Sequence, residues 1–353
     1  MTLTLKDYKQ LVDHEIEKFF NKKIRKAQRI DESSVELLEF LKDFCSGGKR
    51  IRAAMLYYGY RCFKNNNVHE AIKASMSIEL IHSYLLIHDD IIDNDNKRRG
   101  GPTVHYAYQK LAQKRYKNKD AKHFGISFAI IAGDILCAFA NEILTKLDLK
   151  EKYKTGAIRK LNHIIHQAVY GEALDILSSY KHKLTPADVE KIHHLKTAAY
   201  TFEGPMHMGA VLARANKKQL RIMSKYGVPL GKAFQIQDDI LGLFGDETTT
   251  GKPADSDLKE GKKTLLIVKA LESADEKQKQ IIKSALGNQN LTTKQLEQVR
   301  NIVKQTGSLE YCQNLAKSLI KQARSAIKKS RFKREGKKFL LGEIADYMLE
   351  RKK

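Results

Sequence analysis

The sequence predicts an all-α protein. Three observations carry that prediction: only five prolines in 353 residues, long apolar repeats at the helical period, and few alternating β-branched runs. Leu11, Ile16, Phe19 and Phe20 recur at near-helical spacing in the first segment, and Val35, Leu37, Leu38 and Leu41 do the same before a break at Gly47-Gly48. A helix from about Ala71 to Asp93 is apolar on several faces, as a central, surrounded helix should be. Lys97 to Thr103 reads as a basic loop containing Gly and Pro. Further helices are expected over 126–146, 155–179, 186–201, 205–214 and 217–243, followed by a loop rich in Gly, Thr, Asp and Lys from Gly245 to Lys263. Helices over 264–286, 293–305, 308–329 and 337–351 complete the series. No linker divides the chain and no internal repeat is visible, so a single helical domain over residues 1–353, bundled around a central cavity, is expected.

An apolar share of 42% can fill a sizeable core, which excludes a disordered chain. Lys and Arg number 64 against 41 Asp and Glu, a formal charge of +23. That excess suits an anionic partner: nucleic acid, an anionic membrane or a phosphorylated small molecule. Most of these lysines, taken singly, are ordinary solvated surface. Cys45, Cys62, Cys137 and Cys312 show no CxxC spacing, which argues against zinc and disulfides and fits a reducing cytoplasm. The N-terminus has no apolar leader core, so a soluble, cytoplasmic protein is expected. The longest apolar run, about Phe124 to Leu144, carries Asp134 and Asn141, so a buried helix is expected there and not a transmembrane segment.

Chemistry concentrates in two acidic segments. In His88-Asp89-Asp90-Ile91-Ile92-Asp93, Asp89 and Asp93 lie four apart on one helix face, with Asp90 offset by about 100°. Like charges at that spacing destabilise a helix, and the macrodipole at a C-terminus makes carboxylates worse still. A hard divalent cation resolves both problems, since Mg²⁺ takes one or two carboxylates and completes its shell with water and phosphate oxygens. The second segment, Gln235-Ile236-Gln237-Asp238-Asp239-Ile240-Leu241, also ends an apolar helical run. One such segment is weak evidence of a site; two, each closing an apolar helix, are much harder to dismiss. Cations stand beside them. Lys49 and Arg52 follow the Gly47-Gly48 pair, Arg98 and Arg99 follow Asp93, and Lys252, Lys262 and Lys263 flank the glycines of the 245–263 loop. Arginine forks suit bidentate phosphate contact, and lysine acts as a point charge.

These segments resemble the trans-isoprenyl diphosphate synthases, the family of farnesyl and geranylgeranyl diphosphate synthases. The resemblance lies in GGKRIR (47–52), ELIHSYLLIHDDIIDNDNKRRGGPTVH (79–105), AGDIL (132–136), GEALD (171–175), LKT (195–197) and FQIQDDILGLFGDETTTGKPADSDLKEGKKTLL (234–266). It implies the isoprenoid synthase type I fold, a homodimer and two or three Mg²⁺ ions. It also implies that Asp89 and Asp93, with Asp90 assisting, hold Mg²⁺ from one wall of the cavity, and Asp238, with Asp239, from the opposite wall. Arg98, Lys196, Lys252 and Lys262 would contact the allylic diphosphate. Lys49, Arg52, His82 and Arg99 would bind isopentenyl diphosphate. Thr197 and Gln235 would turn oxygens towards the allylic cation. The expected reaction joins isopentenyl diphosphate to an allylic diphosphate of five, ten or fifteen carbons.

The sequence departs from the family at three places. Gly242 stands where many relatives have a third Asp, with Asp246 as a candidate substitute; Ala53 replaces a usual Pro; Glu172 stands where Gln is common. Among rivals, a class I terpene cyclase shares the first acidic motif but needs no isopentenyl site, so Lys49, Arg52 and His82 argue against it. A degenerate, non-catalytic subunit should have lost its Asp pairs. A basic helical nucleic-acid-binding protein lacks support in any aromatic-basic interleaving. The C-terminal Glu350-Arg351-Lys352-Lys353 could close over the site or remain a solvated tail. The first thirty residues and the basic stretch Ser330 to Lys338 are candidates for peripheral contact with a membrane surface.

Chain growth would run back along the helix leading into Asp89, where Tyr84 lies five positions earlier. An aromatic there, with none at the fourth position, resembles the archaeal geranylgeranyl type. A C20 product is therefore expected, with C15 second and longer chains third. Replacing Tyr84 by Ala should lengthen the product, read by chromatography of the dephosphorylated alcohols; an unchanged length would remove Tyr84 as the floor.

Overall fold

The computed structural model describes residues 4–117, 120–181, 184–245 and 255–345. Among these residues the chain is all-α apart from one two-stranded hairpin. The helices are α1 (Leu5–Ala27), α2 (Glu32–Phe44), α3 (Ile51–Arg61), α4 (Val68–Ile92), α5 (Val104–Leu111), α6 (Ala121–Thr145), α7 (Glu151–Tyr180), α8 (Pro186–Ile192), α9 (Gly204–Leu212) and α10 (Lys217–Phe244). After them come α11 (Ser256–Lys259), α12 (Leu265–Ser273), α13 (Glu276–Ala285), α14 (Thr293–Gln305), α15 (Ser308–Lys328) and α16 (Arg334–Leu341). Two stretches, Ala112–Tyr116 and His193–Glu203, are wound as π-helix. The chain forms two compact units, Met1–Leu161 with Pro205–Ala215, and Asn162–Gly204 with Asn216–Lys353.

In the first unit, Thr4 and Asp7 form a capping box that starts α1, and Asp31 accepts from the Ser34 amide to start α2. Tyr8 of α1 is fully buried; its ring stacks on Tyr57 at 4.8 Å and its hydroxyl donates to Ser75 Oγ at 2.6 Å. That bond satisfies a polar atom which would otherwise be costly to bury. α3 is buried almost all round, from Ala53 to Tyr60, and for that reason carries no periodic stripe for sequence reading to find. α9 approaches α3 at bare backbone: a methyl group on Gly209 would lie 1.9 Å from the Leu56 carbonyl. α4 packs along α6 and α3, burying Ile78, Leu80, Ile81 and Ile87.

α6 is long and apolar enough to cross a membrane by length and composition alone, with 33% of its most apolar window buried. It buries Ala129, Ala132, Leu136 and Ala140, and packs on α4 and α5. Ile130 and Ile131, on another face, are 45% and 53% exposed.

In the second unit α10 packs on α15 and on the π-helical segment, with Cys312, Ala316, Ile320, Ala323 and Ile327 of α15 forming the buried stripe. The helix expected over 264–286 is two helices. Ala274 is extended (ψ 148°), and Asp275 with Gln278 forms a capping box that begins α13. The helix expected over 337–351 begins earlier, at Arg334, and ends at Leu341; residues beyond 345 lie outside the described residues.

Candidate active site

The first unit gathers most of the expected diphosphate-binding cations around the end of α4. Gly47 and Gly48 adopt positive φ (76° and 79°), as does Arg50 (56°), and turn the chain sharply into α3. Arg50 is buried and held on three sides: Nε donates to Asp13 at 2.7 Å, Nη1 to Glu79 at 3.1 Å and Nη2 to the Cys45 carbonyl at 2.7 Å. Glu79 also accepts from the Ala53 amide at 3.0 Å, fixing the first turn of α3. Arg50 therefore braces the loop, while Lys49 is exposed and Arg52 half-buried on either side of it. Arg52 Nη1 lies 3.3 Å from His82 Nε2 on α4.

After α4 the chain makes the hairpin β1 (Lys97–Arg98) and β2 (Gly101–Pro102). Its two turn residues, Arg99 (φ 52°) and Gly100 (φ 81°), both need the left-handed region, which Gly supplies without strain. The expected loop is thus a tight hairpin, and it aims its two arginines differently. Arg98 folds back on Asp90, whose carboxylate is fully buried, with Nε and Nη2 both 2.5 Å from Oδ1. Burial opposes the charge on Arg98, but the hydrogen bond and charge of Asp90 outweigh it and hold the guanidinium above its ordinary range. Arg99 instead reaches the glycine turn, donating to the Ser46 carbonyl at 3.4 Å; a methyl group on Gly48 would lie 3.2 Å from its Nη2. Burial and then the charges of Arg52, Arg99 and Arg98 push the His82 imidazole well below its usual range. Five basic groups, Arg50, Arg52, His82, Arg98 and Arg99, thus feel one another here. Such crowding is costly without an anion and favourable with one.

Asp89 and Asp93 are half-buried at the C-terminus of α4, where Asp93 is the cap residue and its amide donates to the Asp89 carbonyl at 2.8 Å. Tyr84, one turn further back, sets its ring 4.8 Å from His88. Burial, then Cys137 and Asp134 of α6, raise its hydroxyl pKa, so Tyr84 faces α6.

The second unit holds the remaining described candidates, Thr197, Gln235 and Asp239 in one hydrogen-bonded chain and Lys196 and Lys262 in separate ion pairs. The π-helical winding of His193–Glu203, a feature frequent at functional sites, carries His193, Lys196 and Thr197. Two glycines let neighbouring helices approach it. A methyl on Gly171 of α7 would lie 2.5 Å from the Lys196 amide, and one on Gly231 of α10 would lie 2.4 Å from Ala198 Cα. Thr197 Oγ1 donates to Gln235 Oε1 at 2.5 Å, and Gln235 Nε2 donates to Asp239 Oδ1 at 2.9 Å. Asp239 Oδ2 faces His193 Nε2 at 3.2 Å, and both side chains are buried. Lys196 lies between Glu172 and Asp175 of α7, 2.7 Å from each. Asp238 is half-buried on α10, and Lys262 pairs with Glu260. Lys263 donates to the carbonyls of Ser178, Ser179 and Lys181 and closes the end of α7. Lys252 and Asp246 lie outside the described residues.

Sequence reading missed Arg50 as a brace, and His193, Glu172 and Asp175 as partners of the network. The spacing of His193 three before Lys196 on a helical stretch was the available signal.

The residues fit a hard divalent cation in kind. Asp239 Oδ2 is buried, 3.2 Å from His193 Nε2 and without a hydrogen bond, a side chain at Gly242 would meet the Asp257 carboxylate at 2.6 Å, and the donors are carboxylate oxygens. No group of three or more His, Cys, Asp or Glu suited to a metal occurs among the described residues.

Comparison with known proteins gives the same picture. A family model for polyprenyl synthetase matches residues 34–303. A protein from Sulfolobus acidocaldarius named geranylgeranyl diphosphate synthase is 36% identical over 313 residues, covering 88% of this chain and 89% of its own. One from Aeropyrum pernix named geranylfarnesyl diphosphate synthase is 31% identical over 347 residues, covering 97% and 100%. Among solved structures, a geranylgeranyl pyrophosphate synthase from Corynebacterium glutamicum, complexed with isoprenyl diphosphate and magnesium, aligns with a TM-score of 0.93 at 28% identity, over 99% of this chain and 100% of that one.

The depressed imidazole of His82 makes a stability prediction. Its folded pKa lies below the unfolded value of 6.5, so the unfolded chain binds more protons; the contribution is complete above that value and is lost as pH falls below it. His82→Gln should flatten the acid side of a urea-midpoint against pH curve while leaving the side above neutrality parallel to that of the unsubstituted protein. An unaltered acid slope would show that His82 is not the group responsible.

Proposed function

The chain belongs to the polyprenyl synthetase family, and from that premise we propose that it condenses isopentenyl diphosphate with an allylic diphosphate, releasing diphosphate, to give mainly geranylgeranyl diphosphate. The observation that carries the reading is the end of α4. There, carboxylates on the last helical turn stand beside Arg52, Arg98, Arg99 and His82, a cluster of basic groups whose mutual repulsion a bound anion would relieve.

Each residue then has a task set by its chemistry. Lys49, Arg52, His82 and Arg99 bind the isopentenyl diphosphate. Arg98, steadied by Asp90, and Lys196, Lys252 and Lys262 bind the allylic one. Asp89 and Asp93 in one unit, and Asp238 with Asp239 in the other, are the residues that would hold Mg²⁺. Bound there, the metal would supply positive charge for the departing diphosphate, the electrostatic help that dominates many barriers. The allylic C–O bond breaks with its electron pair going to diphosphate. The isopentenyl double bond then forms the new C–C bond, and the resulting tertiary cation loses a proton to the released diphosphate. Thr197 Oγ1 and Gln235 Oε1, locked together at 2.5 Å, direct oxygen dipoles at the allylic cation.

The C20 assignment is supported by the name of the Sulfolobus relative and by Tyr84; a C15 product remains second, and the name of the Aeropyrum relative supports a longer product as a further alternative. Homodimerisation is supported by the exposed Ile130 and Ile131 on α6. A cytoplasmic location is supported by four thiols with no disulfide among them. Peripheral membrane contact is supported by the exposed cations Lys317, Lys321 and Lys328 on α15, continued by Arg331, Lys333 and Arg334.

The direct test is incubation with isopentenyl diphosphate and each of the C5, C10 and C15 allylic diphosphates, with Mg²⁺ or with a chelator. The expected result is Mg²⁺-dependent consumption of isopentenyl diphosphate and a C20 alcohol after dephosphorylation. Hydrocarbon formed without isopentenyl diphosphate would indicate a cyclase, and no consumption from any starter would refute the reading.

A further inference from the structure

The second acidic segment has Gly242, and no carboxylate, one helical turn after Asp238 and on the same face of α10, the position where the family resemblance implies a third Asp. The structure fills that position from elsewhere. A methyl group built on Gly242 would lie 2.6 Å from Asp257 Oδ2 and 3.5 Å from its Cγ. The Asp257 carboxylate therefore lies directly over the bare backbone where the missing side chain would begin.

Asp257 is held there by its own segment. It sits in the single turn of α11, whose Leu258 is buried and whose Leu258 carbonyl accepts from the Gly261 amide at 3.0 Å and the Gly287 amide at 2.7 Å. The Asp257 carbonyl accepts from the Lys262 amide at 2.8 Å, and Gly261 takes the positive φ (73°) that turns the chain back. One position from Asp238, Asp239 Oδ2 is buried and accepts no hydrogen bond, with His193 Nε2 3.2 Å away.

We propose that Asp257 supplies, in trans from α11, the carboxylate that the second acidic motif lacks at Gly242, so that Asp238 and Asp257 together form its divalent-cation pair. The inference rests on the proposed prenyltransferase function, and adds to it a metal-binding residue and a reason for the glycine. Asp238 and a residue four further on would share one face of the helix; here the second carboxylate reaches that face from a different segment. Gly242 follows from Asp257, because any side chain at 242 would collide with the carboxylate. The atom met is the end of a short side chain, so the collision displaces Asp257 without demanding that α10 move.

The pair can be tested by exchange. Four proteins are compared with wild type: Asp257→Asn, Gly242→Ala, Gly242→Asp, and Gly242→Asp combined with Asp257→Asn. The readouts are the Mg²⁺ concentration giving half of the thermal stabilisation seen with saturating Mg²⁺ and inorganic diphosphate, and the Mg²⁺ concentration giving half-maximal turnover. Asp257→Asn should raise both roughly tenfold or more, the usual scale for losing a group that supports a metal site. Gly242→Ala should do the same while keeping its unliganded melting temperature, since alanine is favoured over glycine in a helix. The double variant, with its carboxylate returned to α10, should come back to within about threefold of wild type, closer than either of its parents. Unchanged Mg²⁺ dependence in Asp257→Asn, or a double variant no better than Asp257→Asn, would overturn the assignment. Wild type serves as the control for the function itself: wild-type turnover with an unaffected Asp257→Asn rejects this residue alone, whereas absent wild-type turnover rejects the function beneath it.

Discussion

Everything in this protein turns on placing carboxylates where an isolated helix would least accept them. Asp89 and Asp93 stand at the C-terminus of α4, against both the macrodipole and each other, and Asp238 and Asp239 stand near the end of α10. The fold deals with part of that charge internally and leaves part for a ligand. Asp90 is fully buried and given over to Arg98; Asp239 is given over to Gln235, with His193 beside it. In both segments the buried member of the Asp-Asp pair is engaged by the protein, while its half-buried neighbour, Asp89 or Asp238, lies nearer the surface. The engaged carboxylates position basic and polar groups, and in the proposed function Asp89 and Asp238 beside them take part in binding the metal.

That division depends on close backbone approach. Gly171 and Gly231 admit the π-helical segment between α7 and α10, so that Thr197, Gln235 and Asp239 connect without long side chains. The glycine turn at 47–48 and the hairpin at 97–102 do the same for cations, since Arg99 lies over Gly48 and leaves Arg52 and His82 in contact. Arg50, the most buried arginine of the group, braces this arrangement by joining Asp13, Glu79 and the Cys45 carbonyl. Short polar links of this kind hold catalytic groups more rigidly than long exposed side chains do.

Much of this was legible in the sequence. α2 and α10 show their apolar stripes and the two acidic segments announce themselves by Asp spacing, whereas the buried face of α1 is Tyr8, Val12, Ile16 and Phe20, with Leu11 exposed. The three-residue spacing of Lys49 and Arg52 suggests one helix face, but α3 begins only at Ile51 and Arg50 is left-handed, so Lys49 lies in the turn before the helix. Other features left no periodic trace. α3 is buried on every side, so no stripe distinguishes it. A π-helix differs from an α-helix in hydrogen-bond register, which residue type does not report. The division of 264–286 was in fact written, as the Asp275–Gln278 capping box, but the apolar run across it hid the signal. The boundaries of the two compact units fall within α7 and α9 and just before α10, where no linker composition marks them. The partnership of Gly242 with Asp257 could not be read either, because it joins positions related only by the path of the chain between them.

The central claim of the proposed function is that Asp89 on α4 and Asp238 on α10 are each needed to bind diphosphate through a divalent cation. It is tested most directly by the melting temperature with Mg²⁺ and inorganic diphosphate added singly and together. Metal-bridged binding predicts a rise of about 5 °C or more only when both are present, lost in Asp89→Asn and lost equally in Asp238→Asn. A full rise in either variant, or the same rise with diphosphate alone, would contradict it.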